Sequence, residues 1–266
     1  MQTVKSSDGT TIAYDQSGQG PTIILITGAL NYSKFGVVGD LVPLLSEKFT
    51  VINYDRRGRG SSGITQPYNI DREVEDLHAL ILQSGSSAHL YGHSAGAALA
   101  LFAAEKLGKS ILSVAAYEPP MSHNWREDLT TKLSIALSRG MVRKGQNLEL
   151  ITQFMRYVGM EESSIAETLA SEHRQALISM APTLIHEASL MLASRQFLKH
   201  GAHNVTQPVL LLAGDKSFRT VFKVQKAFSQ ALPHAATRIF EGQTHSIEAA
   251  VLAPVLEEFF NSVGDN

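Results

Sequence analysis

A serine at position 94 lies in Gly92-His93-Ser94-Ala95-Gly96, which has the spacing G-x-S-x-G, and a histidine lies at position 245 in EGQTHS near the C-terminus. An aliphatic hydroxyl attacks a carbonyl at neutral pH only when an adjacent base removes its proton, and that base needs an acceptor to orient its ring. These residue types point to acyl transfer, with Ser94 as nucleophile and His245 as base. The spacing alone is weak, but its context adds weight. AHLYG (88–92) reads as a strand, and the alanine- and leucine-rich stretch Ser94–Leu107 reads as a helix. A strand that turns sharply into a helix lifts the hydroxyl clear of the backbone, and Gly92 and Gly96 flank it because side chains there would clash. The helix beginning under Ser94 also favours negative charge as it develops.

His245 is expected in a loop after the last strand and before an amphipathic helix, Ile247–Val263. Of the other histidines, His93 is expected to be structural, pointing away from the serine. His123, His173, His186, His200 and His203 fall in a helical region where exposure is the expectation. His200 and His203 form H-x-x-H without the glutamate of H-E-x-x-H or a nearby carboxylate, so no metal site is expected.

The elements that must position these groups follow from hydrophobic patterning. Gln2–Lys5 and Thr10–Tyr14 read as an antiparallel hairpin about Asp8-Gly9, at a sheet edge. TIILIT (22–27), TVINYD (50–55), AHLYG (88–92), ILSVAAYE (111–118), PVLLLAG (208–214) and ATRIFEG (236–242) read as six further strands. Asp71–Gln83 and Ser94–Leu107 read as helices between them. This alternation predicts a doubly wound, mostly parallel eight-stranded sheet, whose sites lie beyond the carboxyl ends of its strands. From 121 to 203 no strand is evident. Leu129–Leu137, Leu148–Val158, Ile165–Met180 and Thr183–Leu198 read as amphipathic helices, a helical cap inserted into a core made of 1–120 and 204–266.

Composition narrows the chemistry. The 266 residues carry 23 Lys+Arg against 25 Asp+Glu, a net charge of −2, which is too even to recruit nucleic acid or an anionic membrane unaided. With no cysteine, disulfides and thiolate nucleophiles are excluded. No secretory leader is evident and no apolar run reads as long enough to cross a bilayer, so a cytoplasmic monomer or homodimer acting on a small molecule is the expectation.

YDRRGRGSSG (54–63), GHSAG (92–96), YEPP (117–120) and the terminal histidine loop together resemble the α/β-hydrolase superfamily, over nearly the whole chain outside the inserted helices. In that family the acid usually stands three residues beyond the glycine closing the penultimate strand. Here that glycine is Gly214 and the residue is Ser217, so the usual acid is missing. Glu118 ends the strand after the elbow helix, where some haloalkane dehalogenases of this fold carry their acid, and it is the favoured substitute. Asp215 is the alternative, although the family's acidic residue at that place is typically not the catalytic one and its side chain is expected to point away from the histidine. The resemblance further implies an oxyanion hole made by the backbone N–H groups of Ala95 and Ala29, with Gly28 shaping the second loop where relatives often carry His-Gly. Asp55 and Arg57 are expected to fix the turn of their loop.

The activity expected is hydrolysis of a carboxylic ester or lactone through an acyl-enzyme, without cofactor or metal. A carbon–carbon hydrolase, a perhydrolase and an inactive ligand-binding relative stay open on sequence alone. Met141, Phe154, Met155, Tyr157, Met180 and Met191 give the inserted region an apolar character that suits a bulky substrate, although such residues more often pack helices together.

Overall fold

In the computed structural model, which describes residues 1–122 and 124–264, eight strands form one sheet. They are β1 (Gln2–Lys5), β2 (Thr11–Ser17), β3 (Thr22–Ile26), β4 (Thr50–Tyr54), β5 (Ala88–His93), β6 (Ile111–Tyr117), β7 (Val209–Gly214) and β8 (Ala235–Phe240), in the order β1-β2-β4-β3-β5-β6-β7-β8. β1 pairs antiparallel with β2 and β2 with β4, and every other pairing is parallel. The hairpin therefore closes one edge, as the Asp8-Gly9 turn requires, with Gly9 at φ 82°. The central strands β3, β5 and β7 are buried along their whole length, which explains their unbroken apolar runs.

Two cores flank the sheet. On one face, α2 (Ile70–Ser84), α3 (Ala95–Leu107) and α9 (Val221–Ala231) pack on Ile24, Ile26, Leu90, Val114 and Leu211. On the other, α1 (Leu41–Leu45) and α10 (Ala249–Gly264) pack on Ile23, Leu25, Tyr91, Tyr117 and Leu212. Asn69 caps α2 by accepting the Arg72 N–H, and Asp71 and Glu73 lie in its positive first turn.

Between β6 and β7 run α4 (Trp125–Arg143), α5 (Asn147–Tyr157), α6 (Glu162–Ala170), α7 (Arg174–Met180) and α8 (Leu184–His200). The expected single helix Ile165–Met180 is broken at Ser171–His173, where the Ser171 hydroxyl turns back onto the Thr168 carbonyl. His123 lies outside the described residues. By length and composition Arg174–His200, interrupted by a 3₁₀ turn at Ala181–Thr183, is apolar enough to cross a membrane, contrary to the expectation from sequence. Its Leu190 and Phe197 are instead buried in the same core as α3, with the Phe197 ring edge-on to Phe102.

The apolar residues of the inserted helices mostly pack on one another. Met155 and Met180 are buried in a third cluster with Leu30, Leu150, Ile151 and Leu184, and Met141 and Phe154 lie against it, while Tyr157 is exposed. Met141, Phe154, Met155 and Met180 thus take the helix-packing role that such residues more often have.

Candidate active site

Ser94 joins β5 to α3 at φ 55° and ψ −122°, a region an L-residue adopts only when its surroundings enforce it. The surroundings here are close. A Cβ on Gly92 would stand 2.3 Å from the Gly96 carbonyl oxygen, and one on Gly96 would stand 2.2 Å from the Ile26 carbonyl oxygen of β3. Only glycine allows the turn to sit this tightly on the sheet. The Ser94 N–H donates to the Tyr117 carbonyl at 2.8 Å, tying the turn to β6. Ser94 is half-buried, and its hydroxyl has no hydrogen-bond partner among the described residues.

Glu118, the residue after β6, is also held at positive φ (50°). Its side chain is only 1% exposed, and its two oxygens are fully engaged. Oε1 accepts the Gly214 N–H at 3.0 Å, while Oε2 accepts the Ser217 hydroxyl at 2.6 Å and meets Nδ1 of His245 at 2.5 Å. Burial opposes ionisation of this carboxyl, but the hydrogen bonds from His245, Ser217 and Gly214 outweigh it and leave its pKa below the ordinary carboxylate value. With Nδ1–H given to the carboxylate, Nε2 of His245 keeps its lone pair.

Asp215 does not reach this histidine. Its Oδ1 accepts the Gly242 N–H at 2.7 Å and so closes the turn after β8. Ser217, at the position where the family resemblance places an acid, donates its hydroxyl to the Glu118 carboxylate.

Two buried donors hold the loop that carries His245. The Tyr117 hydroxyl donates to the Thr244 carbonyl at 2.5 Å, and Nε2–H of His93 donates to the His245 carbonyl at 2.7 Å. His93 stacks on Tyr117 with rings 5.5 Å apart and 11° from parallel. Burial, reinforced by the neighbouring His245, pushes the His93 pKa down to about 3, so it serves as a neutral strut. Its unpartnered Nδ1 faces Gly28, where a Cβ would stand 3.2 Å away and 3.1 Å from Cβ of Ser94. A side chain at position 28 would press the loop after β3 a few tenths of an ångström away from the serine.

Past Gly28 the chain turns at Leu30, with φ 52°. Leu30, Ser94 and Glu118 are the three non-glycine residues at positive φ among the described residues, so backbone strain collects around this one place. Neither the Ala29 nor the Ala95 N–H meets an acceptor among the described residues, and Ala95 is buried at the start of α3.

A layer of buried ions lies beneath this loop, in which Arg57 has the structural role expected of it and Arg56 and Arg59 have one that was not expected. Arg56, Arg57 and Arg59 of YDRRGRGSSG are all buried. Arg57 pairs with Asp76 and Asp8, Arg56 grips Glu73 through two 2.7 Å hydrogen bonds, and Arg56 and Arg59 both reach Glu187 of α8. Asp55 fixes its turn by accepting the Ser33 and Ser61 N–H groups at 2.8 and 2.7 Å. His186, expected at the surface, is buried and stacked 3.5 Å from the Tyr68 ring, and burial lowers its pKa to about 4. His173, also expected at the surface, meets the Tyr32 hydroxyl at 2.8 Å through Nδ1. No group of three His, Asp or Glu side chains converges as a metal site among the described residues.

Comparison with known proteins agrees with this architecture. The family model for the alpha/beta hydrolase family matches residues 23–255, and the chain belongs to that family. An alpha/beta hydrolase from Sphaerobacter thermophilus has a similar structure, with a TM-score of 0.84 and 33% identity, over 97% of this chain and all of that one. A thermophilic esterase from Thermogutta terrifontis shares the fold at a TM-score of 0.75 and 18% identity, over 98% of both chains. In sequence, a protein named "Probable oxidoreductase EphD" from Mycobacterium bovis is 36% identical over 101 residues, or 35% of this chain. The chain spans only 17% of that relative's length.

Proposed function

We propose that the protein is a serine hydrolase that cleaves a carboxylic ester or lactone through a Ser94 acyl-enzyme. The observation that carries this reading is the buried Glu118 carboxylate, 2.5 Å from Nδ1 of His245, at the carboxyl end of the strand next to the one that Ser94 follows. In this scheme the Ser94 oxygen adds to the substrate carbonyl while its proton passes to Nε2 of His245. The imidazolium so formed is stabilised by Glu118, which stays ionised. The carbonyl oxygen becomes an oxyanion that accepts from the Ala29 and Ala95 N–H groups. Collapse breaks the carbonyl–oxygen bond to the leaving alcohol, which takes the proton from His245. Water then attacks the acyl-enzyme, giving its proton to His245, and the acid departs as the proton returns to Ser94. None of these steps calls for a metal or cofactor.

In the same reading α4–α8 act as a cap over the site, joined to the loop after β3 through Tyr32, Phe35 and His173. The test is hydrolysis of a p-nitrophenyl ester series by wild type and Ser94→Ala, together with labelling by a fluorophosphonate probe. Turnover and labelling by wild type, both lost in Ser94→Ala, are the expected result. A wild-type protein that neither turns over nor labels defeats the reading.

A further inference from the structure

The loop that offers the Ala29 N–H is held from below by the buried arginines. Arg59 Nη1 donates to the carbonyls of Gly28 at 2.5 Å and Asn31 at 3.1 Å, and Arg56 Nη1 donates to the carbonyl of Thr27 at 3.1 Å. Carbonyls on both sides of Ala29 are thus fixed by two guanidinium groups, across a turn whose Leu30 sits at positive φ. A turn in that region is strained and persists only where its surroundings over-determine it. Those two arginines share one carboxylate, Glu187, which comes from the inserted helices and not from the sheet. Arg56 has a second partner in Glu73, whereas Glu187 is the sole carboxylate paired with Arg59 among the described residues.

We propose that Arg59 and Glu187 are positioning residues that set the oxyanion loop, so that the seating of α8 fixes how well the Ala29 N–H meets the developing oxyanion. The consequence for catalysis rests on the serine-hydrolase reading above, whereas the mechanical part does not. Without Glu187, a buried Arg59 lies beside Arg56 with no counter-charge of its own. Like-charge repulsion and desolvation then act on the guanidinium that holds Gly28 and Asn31.

The test compares wild type with Glu187→Gln, which keeps the shape and loses the charge, and with Glu187→Asp, which keeps the charge. Two readouts are needed. The first is amide hydrogen exchange across residues 27–32 against the elbow, 92–97. Glu187→Gln is expected to speed exchange in the former at least tenfold and leave the latter unchanged, with Glu187→Asp intermediate.

The second is the ratio of kcat for a p-nitrophenyl ester to that for its thionoester, whose sulfur is a weak hydrogen-bond acceptor. Removing a single oxyanion donor costs about 10²–10³ in kcat, so a displaced donor is expected to cost about 10–100-fold. That loss should appear with the oxygen ester and be muted with the thionoester, at nearly constant KM. A general loss of structure would lower both substrates alike. Unchanged exchange in 27–32, or equal losses on the two esters, overturns the proposal. If wild type hydrolyses no ester, the hydrolase reading falls by itself and the exchange comparison still decides the positioning role.

Discussion

Replacing Glu118 by glutamine is the most informative single perturbation, because the surroundings of the carboxylate leave the amide no good orientation. Oε2 accepts from both His245 and Ser217, and Oε1 accepts from the Gly214 N–H. If the amide nitrogen takes the Oε2 place, it presents N–H to Nδ1 of His245 and forces the proton onto Nε2, the atom that must receive the Ser94 proton. If it takes the Oε1 place, it opposes the Gly214 N–H, donor against donor, in a buried setting worth about 1–3 kcal/mol. Either way the charge that stabilises the imidazolium is gone. A reversed tautomer in a triad costs about 10⁴ in kcat, so a loss of about 10³–10⁴ with little change in KM is expected for p-nitrophenyl butyrate. Asp215→Asn should cost less than threefold. Because Ser217 Oγ lies 2.6 Å from Oε2, Ser217→Asp in the Glu118→Gln background should restore at least tenfold of the loss. Retention of more than a tenth of wild-type kcat by Glu118→Gln, or an equal loss in Asp215→Asn, would refute the assignment of the acid.

Three further outcomes are expected. Tyr117→Phe removes the donor to the Thr244 carbonyl and should lower kcat about tenfold, with the folded state retained, as judged by steady-state kinetics beside circular dichroism. Gly96→Ala places a Cβ 2.2 Å from the Ile26 carbonyl oxygen, so urea denaturation should show a loss of about 1–3 kcal/mol or more. Burial holds His89 and His186 at about 4 and His93 at about 3, all below the ordinary 6.5. The unfolded chain therefore takes up these protons first, so stability is intact above pH 6.5 and is lost as pH falls from 6.5 towards 4. Each histidine contributes up to about 1.4 kcal/mol per pH unit, and a urea midpoint that does not move between pH 7 and 5 would contradict this.

Much of the sheet was legible because unbroken apolar runs mark strands buried on both faces, as in Thr22–Ile26 and Val209–Gly214. Two helices escaped notice. In α9 the signal was present, since Val221, Val224 and Phe228 recur at helical spacing, whereas α1 has five residues with a proline among them and offers no period to detect. The elbow was legible because its glycines answer a steric demand that sequence records directly. Glu118 was favoured over Asp215 only through the family resemblance, since no local pattern records the positive φ at 118 that accompanies its contact with His245. Asp55 and Arg57 of the same loop could be assigned a structural role from sequence, but Arg56 and Arg59 could not. Their burial depends on Glu187, more than 120 residues further along the chain, and no local pattern records such a meeting.

The way α8 is shared between the two parts of the molecule limits how this chain can be recombined. Its Leu190 and Phe197 belong to the core under α3, its Glu187 belongs to the charged layer under the β3 loop, and its Leu184 belongs to the cluster of inserted helices. A graft that exchanged everything between β6 and β7 for the equivalent of a relative would remove a wall of the sheet's own core and the counter-ion of Arg59 together. A shorter exchange, α4 to α7 with α8 kept in place, spares the sheet core and the counter-ion of Arg59, but it must still match the apolar surface that Leu30 and Leu184 present to the inserted helices.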